Sequence, residues 1–98
     1  MRVAFDDDEL DRLETDPSFT MGLANSLVRA YRMRLQQIRS TKDERDFYAL
    51  KSLHYERLRG DRQGLHSMRL NKQFRLILGI SGTAPDKEVR IVGIEDYH

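Results

Sequence analysis

Two short segments that alternate strictly between apolar and polar side chains constrain this chain more than any other feature. His66, Met68 and Leu70 point one way in the first, and Phe74, Leu76, Leu78 and Ile80 in the second, with Asn71-Lys72-Gln73 between them. A period of two is the mark of a strand with one face on a core. With residues 71–73 as the loop, Leu70 lies opposite Phe74 and Met68 opposite Leu76. A slip by one residue would set apolar side chains against charged ones. The same register puts Arg69 directly opposite Arg75 on the other face. Two like charges about 5 Å apart repel by roughly 3 kcal/mol at an effective dielectric of 20, less when well solvated. Such a pair persists at low cost when it is splayed into water, faces an anion, or is neutralised by a nearby acid such as Glu56 or Asp61.

Upstream, Arg2–Phe5 reads as a short strand. Asp6 fits a helix N-cap with Glu9 three residues on, and Phe5 and Leu10 are placed for a hydrophobic staple. A short helix then runs through Leu13 and breaks before Asp16-Pro17. Leu23, Leu27, Tyr31, Leu35 and Ile38, with Ala24 and Val28 alongside, form one apolar stripe that predicts an amphipathic helix over roughly Thr20–Ser40. Arg29, Met33 and Gln36 face away from it. Phe47, Leu50 and Leu53 fit either a short helix or an extended segment. Gly60-Asp61-Arg62-Gln63-Gly64 is turn chemistry, and a third strand, Val89–Ile94, follows the Ser81–Lys87 loop. The order predicts an α+β fold in one domain, residues 1–98: an N-terminal strand and two helices packed on an antiparallel sheet meander. Tyr31, Leu35, Met68, Leu76 and Leu78 belong to its core.

The hydrophobic share, 39%, is modest beside a charged share of 34%, as suits a thin domain with a large polar surface. No apolar run is long enough to span a membrane, and Met1–Phe5 followed by acids is no signal peptide. The absence of cysteine excludes disulfides and thiolate metal sites. The expectation is a cytoplasmic protein without a membrane contact. The net charge of +1 hides a segregation: −5 over residues 1–20, +8 over 21–75 and −2 over 76–98. A basic middle is either an ordinary solvated surface or a face for RNA. His54 and His66 lack the spacing of a ligand pair and no acidic cluster completes a set, so no metal site is expected. His66 falls on the apolar side of its strand and reads as a partly buried core residue.

A set of ordered motifs adds to this. Leu58-Arg59-Gly60-Asp61-Arg62-Gln63-Gly64, then Ser67-Met68-Arg69-Leu70-Asn71, then Phe74-Arg75-Leu76-Ile77-Leu78, and finally Glu95-Asp96-Tyr97-His98 resemble the HigB group of the RelE toxin superfamily. Those toxins show L-[KR]-G-D-x-x-G, a hairpin whose second strand carries aromatic-Arg-[LI], and a C-terminal D-Y-H. The match covers about half the chain, residues 50–98.

The resemblance implies a toxin of a type II toxin–antitoxin system that cuts mRNA on the ribosome without metal or cofactor. In that chemistry the 2′-OH attacks the neighbouring phosphate, which needs a base, an acid and cations on the phosphorane. Carried over residue by residue, Arg75 matches the catalytic arginine, and Arg59 a basic residue that is usually lysine. Tyr97 and His98 match the C-terminal pair, for base stacking and proton transfer. Where some members carry a catalytic histidine, this chain has Glu56; it is the first candidate for the base, His98 for the acid, and His54 is held in reserve. His54, Arg57, Arg62, Arg69, Asn71 and Lys72 are the candidate RNA contacts. The implied partners are a small helix-turn-helix antitoxin of the HigA type, the ribosome and mRNA, with operator DNA reached only through the antitoxin complex. Two other functions stay open: a non-enzymatic gyrase inhibitor like the ParE branch, and an inactive relative kept as a binding subunit.

Overall fold

Alternation in the hairpin is realised as predicted. The computed structural model describes residues 1–83 and 85–96. β3 (Leu65–Arg69) and β4 (Phe74–Ser81) pair antiparallel with Met68 opposite Leu76 and Arg69 opposite Arg75. The Asn71 side chain sets the turn by accepting from the backbone N–H of Gln73 (2.8 Å) and Phe74 (2.7 Å), the usual way an asparagine replaces a backbone turn bond. β5 (Glu88–Asp96) extends one residue before and two beyond the predicted Val89–Ile94 and pairs antiparallel with β4. The short β2 (Glu56–Arg57) lines the other side of β3. β1 (Arg2–Phe5) joins beside β5 but runs parallel to it, so the five-stranded sheet, in the order β1-β5-β4-β3-β2, is mixed. The predicted meander is its antiparallel part. The neighbour of β1 lay beyond reach of local pattern, because it comes from the far end of the chain.

Two helices cover one face. α1 (Asp8–Thr15) is capped by Asp7, whose carboxylate accepts from Glu9 N–H at 2.7 Å, and not by Asp6. The reason is that Asp6, just past β1, is still tied to the sheet: its N–H bonds to the Ile91 carbonyl at 3.0 Å, and its carboxylate accepts from Arg90. α2 (Asn25–Ser40) starts five residues later than the stripe suggested. Met21 and Gly22 both have positive φ, and Leu23 N–H closes a turn on the Thr20 carbonyl; a left-handed pair cannot continue a right-handed helix. The third apolar segment resolves as a one-turn helix, α3 (Arg45–Ala49), and a 3-10 turn over Lys51–Leu53.

The core lies between helices and sheet. Leu13, Tyr31, Leu35, Ile38, Phe47, Leu76, Leu78, Val89 and Ile91 are fully buried, and Leu53 and Met68 almost so, each contributing about 1.5–3 kcal/mol by its removal from water. Tyr31 also ties the two helices together, its hydroxyl donating to the Leu10 carbonyl at 2.7 Å. Burial pushes its phenol above the ordinary value, so it stays a donor. Arg32 closes the end of α1, donating to the carbonyls of Leu13 and Asp16 at 3.0 Å, as cations do at helix C-termini. No helix among the described residues is long and apolar enough to cross a membrane.

Candidate active site

Paired residues of a pleated sheet point to the same side. The ladder therefore places Glu56, Ser67, Arg69, Arg75, Ile77 and Glu95 together on the face turned away from α1 and α2. That face is only partly wet: Ser67 and Ile77 are fully buried and Leu58 is nearly so.

Arg75 sits at its centre with a side chain only 11% exposed. Its Nε donates to Ser67 Oγ at 2.9 Å, a terminal nitrogen donates to the His54 carbonyl, and that same nitrogen lies 3.7 Å from Glu56 Oε1. Glu56 is half exposed, so a carboxylate open to solvent stands beside a nearly buried cation. The two cross-strand arginines bond to different acceptors. Arg69 donates to the Asn71 carbonyl at 3.2 Å and lies 3.3 Å from His54 Nε2. Among the described residues it meets no carboxylate. An arginine has no acceptor, so any hydrogen bond in that contact runs from Arg69 to His54 Nε2.

His54 thus links both arginines, through its ring and through its carbonyl. Strand alternation does not put it there. It ends the Lys51–Leu53 turn at φ 46°, ψ 47°, in the left-handed region, a conformation that costs a non-glycine residue on the order of 1 kcal/mol or more. Arg34 of α2 braces the assembly from behind, its Nε donating to the Arg69 carbonyl at 2.8 Å.

The other candidates are dispersed. Arg62 is held by Glu95, with one N···O distance of 2.7 Å and a second, shorter contact, and Glu95 lies opposite Arg75 in the ladder. Arg59, between β2 and the turn at Gly60, is exposed without an ion pair among the described residues. Lys72 is exposed in the hairpin turn, where Asn71 is occupied by the backbone. Arg57 pairs with His66 and so faces the helix side. There it lines a groove of about 760 Å³ with Glu44, His66 and Lys87, on the opposite face from Arg75. His66 stacks on Tyr55, ring centroids 5.2 Å apart and planes 6° from parallel; burial, then the Arg57 charge, lowers its pKa. Tyr97 and His98 lie outside the described residues.

Sequence reading missed Ser67, Glu95 and Arg34. A serine on the polar side of a strand looks solvent-facing; here it lies between Glu56 and Ile77 in the ladder, bonds to Arg75 and is fully buried. Glu95 lay beyond the predicted end of its strand, and Arg34 was one of several arginines on a helix surface.

A family described as the RelE-like toxin of type II toxin–antitoxin system HigB matches residues 3–91. No curated protein matches the chain. Among solved structures, a YoeB/ParE toxin from Agrobacterium tumefaciens superposes with a TM-score of 0.68 at 15% identity over 100% of both chains. A chain of a YoeB-YefM complex from Staphylococcus aureus gives 0.62 at 17% identity, over 100% of this chain and 97% of that one. A YoeB dimer from Staphylococcus aureus gives 0.55 at 16% identity, again over 100% and 97%. At these identities the structures establish a common fold, and the family match extends over most of the chain: this protein belongs to the HigB family of RelE-like toxins of type II toxin–antitoxin systems.

Proposed function

We propose that this toxin is a ribosome-dependent endoribonuclease of the cytoplasm, cutting mRNA through its own 2′-OH. One observation carries the reading: a guanidinium held nearly out of water at Arg75, with the accessible carboxylate of Glu56 at 3.7 Å. A base and a phosphorane-stabilising cation side by side are what transesterification needs. In this mechanism Glu56 takes the proton of the ribose 2′-OH, and that oxygen forms a bond to the adjacent phosphorus. Charge gathering on the non-bridging oxygens faces Arg75. The P–O5′ bond breaks and the leaving oxygen takes a proton from His98, giving a 2′,3′-cyclic phosphate and a 5′-OH end. Tyr97 stacks on a base, while Arg59, Arg69 and Lys72 contact backbone phosphates. Every transferred group comes from RNA or side chains, so the step draws on no cofactor.

The test is incubation of purified protein with a translated reporter mRNA, ribosomes present or withheld. Cleavage only with ribosomes, leaving 2′,3′-cyclic phosphate ends, is the expected result. Intact mRNA under both conditions would turn the reading toward a non-enzymatic inhibitor.

A helix-turn-helix antitoxin of the HigA type is the proposed partner, covering or distorting the basic face. The support is the toxin–antitoxin family itself and the +8 balance over residues 21–75. Affinity measured by titration calorimetry should fall as salt rises; an affinity indifferent to salt would count against a charge-driven contact.

A further inference from the structure

We infer that Ser67 is a positioning residue that fixes the orientation of the Arg75 guanidinium while leaving its charge intact; as a role in catalysis this rests on the endonuclease reading. Ser67 is fully buried, and its Oγ accepts the Nε–H of Arg75 at 2.9 Å. Nε is the one nitrogen at the root of the guanidinium, so anchoring it sets the plane in which the terminal N–H groups lie. The His54 carbonyl accepts from one of those terminal nitrogens and fixes the rotation about that plane. Ser67 Oγ and the His54 carbonyl are both neutral acceptors. A carboxylate in place of Ser67 would hold the arginine as firmly but cancel the field that a phosphorane must feel.

Glu56, whose Oε1 is 3.7 Å from Arg75, shows what the anchor prevents. A guanidinium released from Ser67 gains by swinging onto that carboxylate in a bidentate pair. One rotation would then cost the site twice, since the base becomes engaged and the cation neutralised. With its hydroxyl in place, Ser67 holds the two groups close enough to act on one phosphate but apart from full pairing. Cross-strand geometry makes the contact possible: Ser67 lies two residues before Arg69, whose ladder partner is Arg75, so the Arg75 side chain leans along the sheet to reach it.

A hydrogen bond to a charged group has a net value that corresponds to a rate change of about ten- to a hundredfold. Ser67→Ala is therefore expected to lower the single-turnover cleavage rate by that factor with little change in KM, and Ser67→Thr, which restores a hydroxyl, to recover part of it. In an Arg75→Lys background, where no Nε–H exists, Ser67→Ala should have almost no further effect. A structural role alone would lower both backgrounds equally and would overturn the inference. A second arm needs no RNA: the Arg75 Nε–H resonance, assigned by its loss in Arg75→Lys, should exchange with solvent slowly in the wild type and rapidly in Ser67→Ala. Equal exchange in the two proteins refutes the anchor even if mRNA is cut. A wild type that cuts no RNA removes the endonuclease reading, and the exchange comparison then decides the Ser67–Arg75 link on its own.

Discussion

Arg75→Ala should reduce single-turnover cleavage of ribosome-bound mRNA about 100- to 1,000-fold, the usual loss when one preorganised charge-stabilising donor is removed from an active site. The side chain is 11% exposed and bonded to Ser67 Oγ and the His54 carbonyl, so its position exists before substrate arrives. A preformed charge needs no reorganisation as the phosphorane develops, which places its effect in the chemical step more than in binding. Removal also strands two acceptors, at about 1–3 kcal/mol for each that stays buried and unpaired. The variant should thus be less stable yet folded, and its melting curve must be recorded beside its rate. Arg69→Ala should be milder, because Arg69 bonds to the Asn71 carbonyl and the His54 ring and not to the Arg75 anchor, and its defect should shrink as salt rises, since salt screens the phosphate contact that the wild type keeps. A folded Arg75→Ala protein that cuts near the wild-type rate would remove Arg75 from the mechanism.

The second large effect is on stability. Phe47→Ala is expected to cost about 3–5 kcal/mol, a sizeable part of the roughly 5–15 kcal/mol that holds such a domain together. Phe47 is fully buried, its ring centroid 5.1 Å from that of Tyr55. Tyr55 in turn meets Tyr48 edge-on at 4.9 Å and stacks on His66. This aromatic group pins the stretch between α3 and β2, where His54 holds its left-handed turn and Glu56 begins the edge strand. A cavity at Phe47 should therefore loosen the base before it unfolds the sheet, and cleavage should fall at temperatures where the far-ultraviolet circular dichroism is still native. Urea unfolding that shifts by less than about 1 kcal/mol would show that the stretch is held elsewhere.

Much of this protein was legible in its sequence because the relevant forces are local. The hairpin register follows from a period of two and a three-residue loop, and with it the opposition of Arg69 and Arg75. Tyr31, Leu35, Met68, Leu76 and Leu78 are buried as the apolar pattern requires. The motifs from Leu58 onward carried the family, since ordered spacing survives where overall identity is low. Other features depend on which distant segments touch. Nothing local in Arg2–Phe5 says that it pairs with Glu88–Ile91, or that it does so in parallel. Both arginines meet His54, one at its ring and the other at its carbonyl, and the left-handed backbone of that residue is something strand alternation cannot predict. Arg57 and Arg62, alike in sequence as members of one basic stretch, part company in space, one on the helix-side groove and the other locked to Glu95. Ser67 changes most: a polar residue on the polar side of a strand becomes fully buried. Periodicity determines which way a side chain points, but only tertiary packing determines what it meets there, because burial and hydrogen bonding depend on segments that the local pattern does not contain.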